Sequence, residues 1–162
     1  MQNVITVFRF VMRYADMLVA DLSDAEMVQI PHPGMNHPAW VLGHITMAID
    51  STARILDQPG LTDREWIKKF GPGSTPVEDI AVYPTKAELL AKLKAVGEHA
   101  IKCIENATPE QLAGPNKTRF FPEVFPTVAD FATHLLTTHP SLHLGQLSAW
   151  RRVLGKGSVL GV

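Results

Sequence analysis

The sequence predicts an all-α protein, a four-helix bundle, and three observations carry that reading. Four long stretches repeat their apolar residues at spacings of three and four, the period that turns one face of a helix toward a core. Alternation with period two never persists, and no hairpin dipeptide sits between candidate strands. A chain of 162 residues with 46% hydrophobic and 19% charged residues suits one domain, residues 1–162, able to bury a core without disulfide staples.

Ile5, Phe8, Met12, Ala15, Val19 and Leu22 form the apolar seam of a first helix over residues 2–22. The prolines and glycine of "SDAEMVQIPHPGMNHP" end it. Asn36 or His37 caps the second helix, and Pro38 suits its first turn, where an N–H would lack an intrahelical partner. That helix runs from 38 to 57 and stops at "DQPG". Residues 58–84 make a long connection containing "FGPGSTP", with one short helix near Thr62 to Phe70. A link of that length predicts a crossover between helices two and three. The third helix starts at "TKAE", where Thr85 and Glu88 have capping-box spacing, and Leu89, Leu93, Val96, Ala100 and Ile104 supply its stripe. After "TPEQLAGPNKTRFFPEVFP", Thr127 and Asp130 open a fourth helix that runs to about Leu154. Arg151 and Arg152 suit its negative end, and Gly155 stops it.

Net charge is −1 and the Lys and Arg residues are scattered, so no basic footprint for nucleic acid exists. The single cysteine, Cys103, rules out an internal disulfide and a CxxC site and fits a reducing compartment. Arg9, Arg13 and Asp16 interrupt the opening segment before an apolar signal region is complete. No run approaches the roughly 18–20 apolar residues of a membrane span. The expectation is a cytoplasmic protein with no membrane or nucleic-acid partner.

The inward stripe of the fourth helix passes through Val128, Phe131, Leu135, His139, Leu142 or His143, Gln146, Trp150 and Val153. Two histidines and a glutamine therefore stand where leucine is expected. Residues four apart lie one turn above each other, so His139 and His143 can grip one ion. The second helix offers Trp40, His44, Met47, Ser51 and Ile55 on its stripe, with His44 its candidate ligand. Two nitrogens from one helix and one from another leave coordination positions open, as catalytic metal sites require. A lone core histidine is ordinarily a hydrogen-bonded structural residue, but three on two facing stripes favour a site. The motif is not that of a zincin, because Pro140 stands where the glutamate of H-E-x-x-H belongs. Pro140 also cannot donate to the Leu136 carbonyl and should bend the helix just before the pair.

Other residues are assigned lesser roles. Gln146 is placed to orient a ligand or water, Met47 can wall the pocket, and Trp40, Trp66 and Trp150 read as core or pocket-wall residues. His32 and His37 read as surface or capping residues. His134 lies five before His139, about 140° around an α-helix, and should face away. Cys103 reads as a small buried hydrophobe. Asp50 and Arg54 read as a solvated i,i+4 pair.

Together, "NHPAWVLGHI" and the distant "HPSLHLGQLSAWRRVLG" resemble the DinB-like superfamily of metal-binding four-helix bundles, over nearly the whole chain. The resemblance implies a three-histidine site at His44, His139 and His143, a long crossover between helices two and three, and pairing as a homodimer. It also implies small-molecule chemistry of the kind found in thiol-dependent S-transferases and a maleylpyruvate isomerase that use low-molecular-weight thiols. Sulfoxide synthases of the superfamily would need a carboxylate where this chain has Gly145, so iron-dependent sulfoxide chemistry is disfavoured.

A divalent ion on three neutral nitrogens keeps its charge and lowers the pKa of a bound water or thiol. The expected function is a metal-dependent enzyme on small molecules, with thiol S-transfer ranked above hydrolysis by the resemblance. Zinc, nickel or iron suits such a ligand set. The alternatives are a metal-dependent hydrolase and a non-catalytic bundle that binds a metal or ligand.

Overall fold

The computed structural model describes residues 1–161, and among them it is helical without strands. Helix α1 (Gln2–Val19) buries Ile5, Phe8, Val11, Ala15, Leu18 and Val19. It ends before the expected residue 22, yet Leu22 still packs in the core. Helix α2 (Pro38–Ile55) is capped by His37, whose Nδ1 accepts the Trp40 N–H at 3.1 Å. Its residues from Pro38 to Asp50 are buried, except half-buried Met47. Helix α3 (Arg64–Phe70) is the short element expected in the connection, capped by Asp63. Helix α4 (Lys86–Asn106) carries the Thr85–Glu88 capping box and the expected buried stripe. The short helix α5 (Pro109–Ala113), which periodicity missed, starts with a Thr108–Gln111 capping box.

The fourth long element is not one continuous α-helix. Helix α6 (Val128–Thr133) passes into a π turn (His134–Thr138) and then into helix α7 (His139–Val153). Pro140 explains the break. Without an N–H it leaves the Leu136 carbonyl no partner four residues on, and the backbone widens by one residue. The His139 N–H then donates to the His134 carbonyl, five residues back.

Helix α2 lies against α3, α4 and α7, while α1 lies against α4 and α7. Lys86 joins the start of α4 to the end of α1 by donating to the carbonyls of Val19, Ala20 and Leu22. Arg151 ties the end of α7 to the same place, donating to the Leu18 carbonyl and both oxygens of Asp21. No helix among the described residues is long and apolar enough to cross a membrane.

Asp50 departs from its expected solvated role. Its side chain is 0% exposed, against 43% for Arg54. It accepts hydrogen bonds from the Leu61 and Thr62 N–H groups, the Thr62 hydroxyl and Arg54 Nη2. Burial alone would raise its pKa, but the Thr62 hydroxyl and the two N–H donors outweigh it and hold the carboxyl below the usual range. The chain leaving α2 is thereby tied back onto it. Asp50→Ala should cost about 2–4 kcal/mol in a urea titration, because it strands several buried donors; a loss under about 1 kcal/mol would contradict this role.

His37 is fully buried, and burial pushes its pKa from 6.5 down to about 4. The unfolded chain therefore takes up a proton that the folded one refuses. Stability present above pH 6.5 is lost as pH falls from 6.5 through about 4, with a slope of up to about 1.4 kcal/mol per pH unit from this residue. Urea midpoints measured from pH 7 to pH 4.5 should decline less steeply in a His37→Asn variant, which keeps a capping side chain. Parallel declines would exclude His37 as a source.

Candidate metal centre

His44 on α2 and His139 and His143 on α7 come together. Their ring centroids are 5.1 Å apart for His44 and His139, 4.5 Å for His44 and His143, and 4.7 Å for His139 and His143. One ring nitrogen from each lies within 4.8 Å of the other two. The i,i+4 spacing on α7 sets one edge of the triangle, and the packing of α2 on α7 supplies the third ring.

Two of the rings are oriented by bonds on their outer side. His44 Nδ1 lies 2.7 Å from the Phe70 carbonyl, an acceptor, so Nδ1 carries the proton and Nε2 is left bare. His143 Nδ1 lies 3.1 Å from Gln146 Oε1 in the same relation. Such outer partners fix tautomer and ring direction in metal sites. His139 Nδ1 is buried with no hydrogen-bond partner, an orphan of the kind that a bound ion or water relieves. Burial lowers the pKa of all three rings. For His139 burial, with repulsion from His143 and His44 added, brings it to about 3. The cluster is neutral at pH 7, the form that binds metal. The residues present fit a divalent cation.

Gly43 lets the Phe70 carbonyl reach His44. A Cβ at Gly43 would stand 2.2 Å from the Phe70 ring, which is fully buried against α2. The helix α3 that carries Phe70 is further held by Trp66, whose Nε1 donates to the Gly43 carbonyl at 3.0 Å. Periodicity gives no signal for a contact between two elements so placed, although a glycine inside a helix was visible.

The residues expected around the site fall in several places. Trp40 stacks on His44 with centroids 4.6 Å apart and planes 10° from parallel. Met47 lines a chamber beside His44 and His139. Gln146 is exposed and not on the core stripe, and it meets the site through His143 alone. His143, not Leu142, points inward, since Leu142 is 67% exposed. Val153 is exposed too, whereas Leu144, Leu147 and Trp150 fill the core. Trp150 and Trp66 are structural, as expected. Cys103 is buried on α4, where burial pushes its thiol up, and it takes no part in the cluster. His32 is exposed and unconnected to the site.

His134 is the clear correction. It does not face away: its ring lies 5.7 Å from that of His139 and it lines the same chamber. The cause is the π turn, in which residues five apart, not four, sit above one another. Phe125 and Phe131 stack on its ring at 4.5 and 6.1 Å.

The fold is all-helical among the described residues, and its three converging imidazoles form a cluster that could hold a metal ion. The chain belongs to the DinB superfamily, whose model matches residues 8–147. A protein of known structure from Enterococcus faecalis, described as a conserved protein, is similar in fold, with a TM-score of 0.76 and 21% identity. The match covers 96% of this chain and 97% of that one. Comparison with curated proteins finds no match.

Gly43→Ala should destabilise the fold by about 1–3 kcal/mol through overpacking. It should also weaken zinc affinity about 10- to 100-fold by dislodging the Phe70 carbonyl from His44. A chelator competition titration reads the second effect, and unchanged affinity would remove Phe70 from the centre.

Proposed function

We propose that the protein is a divalent-metal-dependent enzyme acting on small molecules, in which His44, His139 and His143 hold zinc, nickel or iron. Within that class we assign thiol-dependent S-transfer, with a low-molecular-weight thiol as co-substrate. The observation that carries the reading is the convergence of three neutral, partly desolvated imidazoles, two of them already oriented from behind.

A cation held there would supply Lewis acidity, lowering the pKa of a thiol or water brought to it. The chain's own groups do the rest. The Phe70 carbonyl and Gln146 hold His44 and His143 in the donor tautomer. Trp40 covers one face of His44 and keeps the ring from turning. The chamber beside His44 and His139 admits a second reactant. No Asp or Glu lines that chamber among the described residues, which favours a nucleophile that needs only a lowered pKa over a hydrolysis that wants a carboxylate base.

The proposal extends to architecture and setting. We read the four long helical elements as a single-domain four-helix bundle with a crossover between α2 and α4. Contacts support it: Pro59, just past α2, meets His99 in the second half of α4, so these helices run the same way. A homodimer in the cytoplasm, with no nucleic-acid or membrane partner, completes the reading.

Protein purified without a histidine tag should contain close to one first-row divalent metal per chain by elemental analysis, and His139→Ala should lose it while remaining helical by circular dichroism. The metal-loaded protein should conjugate a cellular thiol to an electrophile at a rate that His139→Ala abolishes. Ester or amide cleavage without conjugation would assign hydrolysis instead. A chain that stays metal-free after incubation with zinc, nickel and iron would overturn the enzymatic reading.

A further inference from the structure

The three-histidine cluster opens into a chamber of about 510 Å³. That volume lies in the range of small-molecule sites. It follows one face of α2 through His44, Met47, Ser51 and Ile55, a run of about 16 Å at 1.5 Å per residue. Phe131 and Leu135 form the opposite wall, and Phe120 and Phe121, from the segment before α6, close the side.

Between its histidine end and Arg54 the polar side chains along this run are engaged within the protein. Ser51 donates to the Met47 carbonyl and Thr118 to Asn116 Oδ1. Arg54 Nη2 donates to Asp50 and Thr62. Little is left between the histidine end and Arg54 to recognise hydroxyls, amides or a carboxylate. Phe120 and Phe121 are 42% and 55% exposed while bordering the chamber, a cost that a bound apolar group would relieve.

We propose that the chamber binds the second reactant by an elongated apolar group, an alkyl chain or an alkyl-substituted aromatic ring, with its reactive carbon at the His44 and His139 end. The proposal rests on the metal-centre reading for which end reacts, but not for the binding itself. A sugar or a peptide, which needs partners along its whole length, finds few between the two ends of this run, where Met47, Ile55, Phe131 and Leu135 form the walls. The aromatic pair Phe120 and Phe121 contributes the adjustable wall, and Ser51 marks the middle of the run.

Calorimetric titration of the full chain with 4-alkylphenols, from ethyl to hexyl, before and after zinc loading, tests this. Affinity should rise about fourfold per added methylene across the series. Ser51→Phe, which fills the run without touching a histidine, should weaken hexylphenol binding at least tenfold with zinc content unchanged. Phe120→Ser should weaken it severalfold and serves as the check should the first variant fold poorly. Chain-length dependence in a protein that takes no zinc would support the chamber and overturn the metal reading. Zinc uptake with affinity indifferent to chain length, or to both substitutions, would overturn the chamber assignment alone.

Discussion

The absence of a side chain at Gly43 is the constraint on which the centre depends. It lets the Phe70 ring lie directly on α2, and this close approach brings the Phe70 carbonyl within 2.7 Å of His44 Nδ1. The proton of that ring is thereby assigned to its outer nitrogen, and the inner one faces His139 and His143. Trp66, bonded to the Gly43 carbonyl, and Trp40, stacked on His44, hold the same short segment from two further sides. A buried ionisable ring in a helix core is tolerable because its donor is satisfied and its basicity is suppressed by burial.

A second constraint acts on the other wall. Pro140 removes one backbone donor, and the π turn that answers it rotates everything before His139 relative to everything after. His139 and His143 face α2, Phe131 and Leu135 pack with Ala48 in a small satellite core, and His134 swings into the chamber. One irregular turn thus positions both the His139–His143 pair and the cavity beside it, in keeping with the frequent placement of π turns at functional sites.

Much of this was legible in local pattern. Capping boxes at Thr85 and Thr127 marked two helix starts, and the i,i+4 spacing of His139 and His143, with His44 on a facing stripe, marked the cluster. The DinB superfamily was recognisable from the same segments. What escaped were features decided between distant segments. Asp50 looked like one half of a surface pair because its true partners, Leu61 and Thr62, lie in a connection without periodicity. His134 was misplaced because an α-helical period was carried across Pro140, where the backbone changes to a five-residue turn. Gln146 and Val153 were drawn onto the core stripe by extending that same uninterrupted period, whereas Leu144 and Leu147 hold the inward positions. Of the chamber, Met47 was anticipated as a wall but the enclosure was not, since one side comes from a Phe120–Phe121 segment with no regular structure.

The convergence of three imidazoles on one cation is tested most directly by X-ray absorption spectroscopy of the zinc-loaded protein. The expected spectrum shows three imidazole ligands with Zn–N distances of about 2.0–2.1 Å and one oxygen ligand from solvent. A shell with fewer than three imidazoles, or one containing sulfur from Cys103, would contradict it.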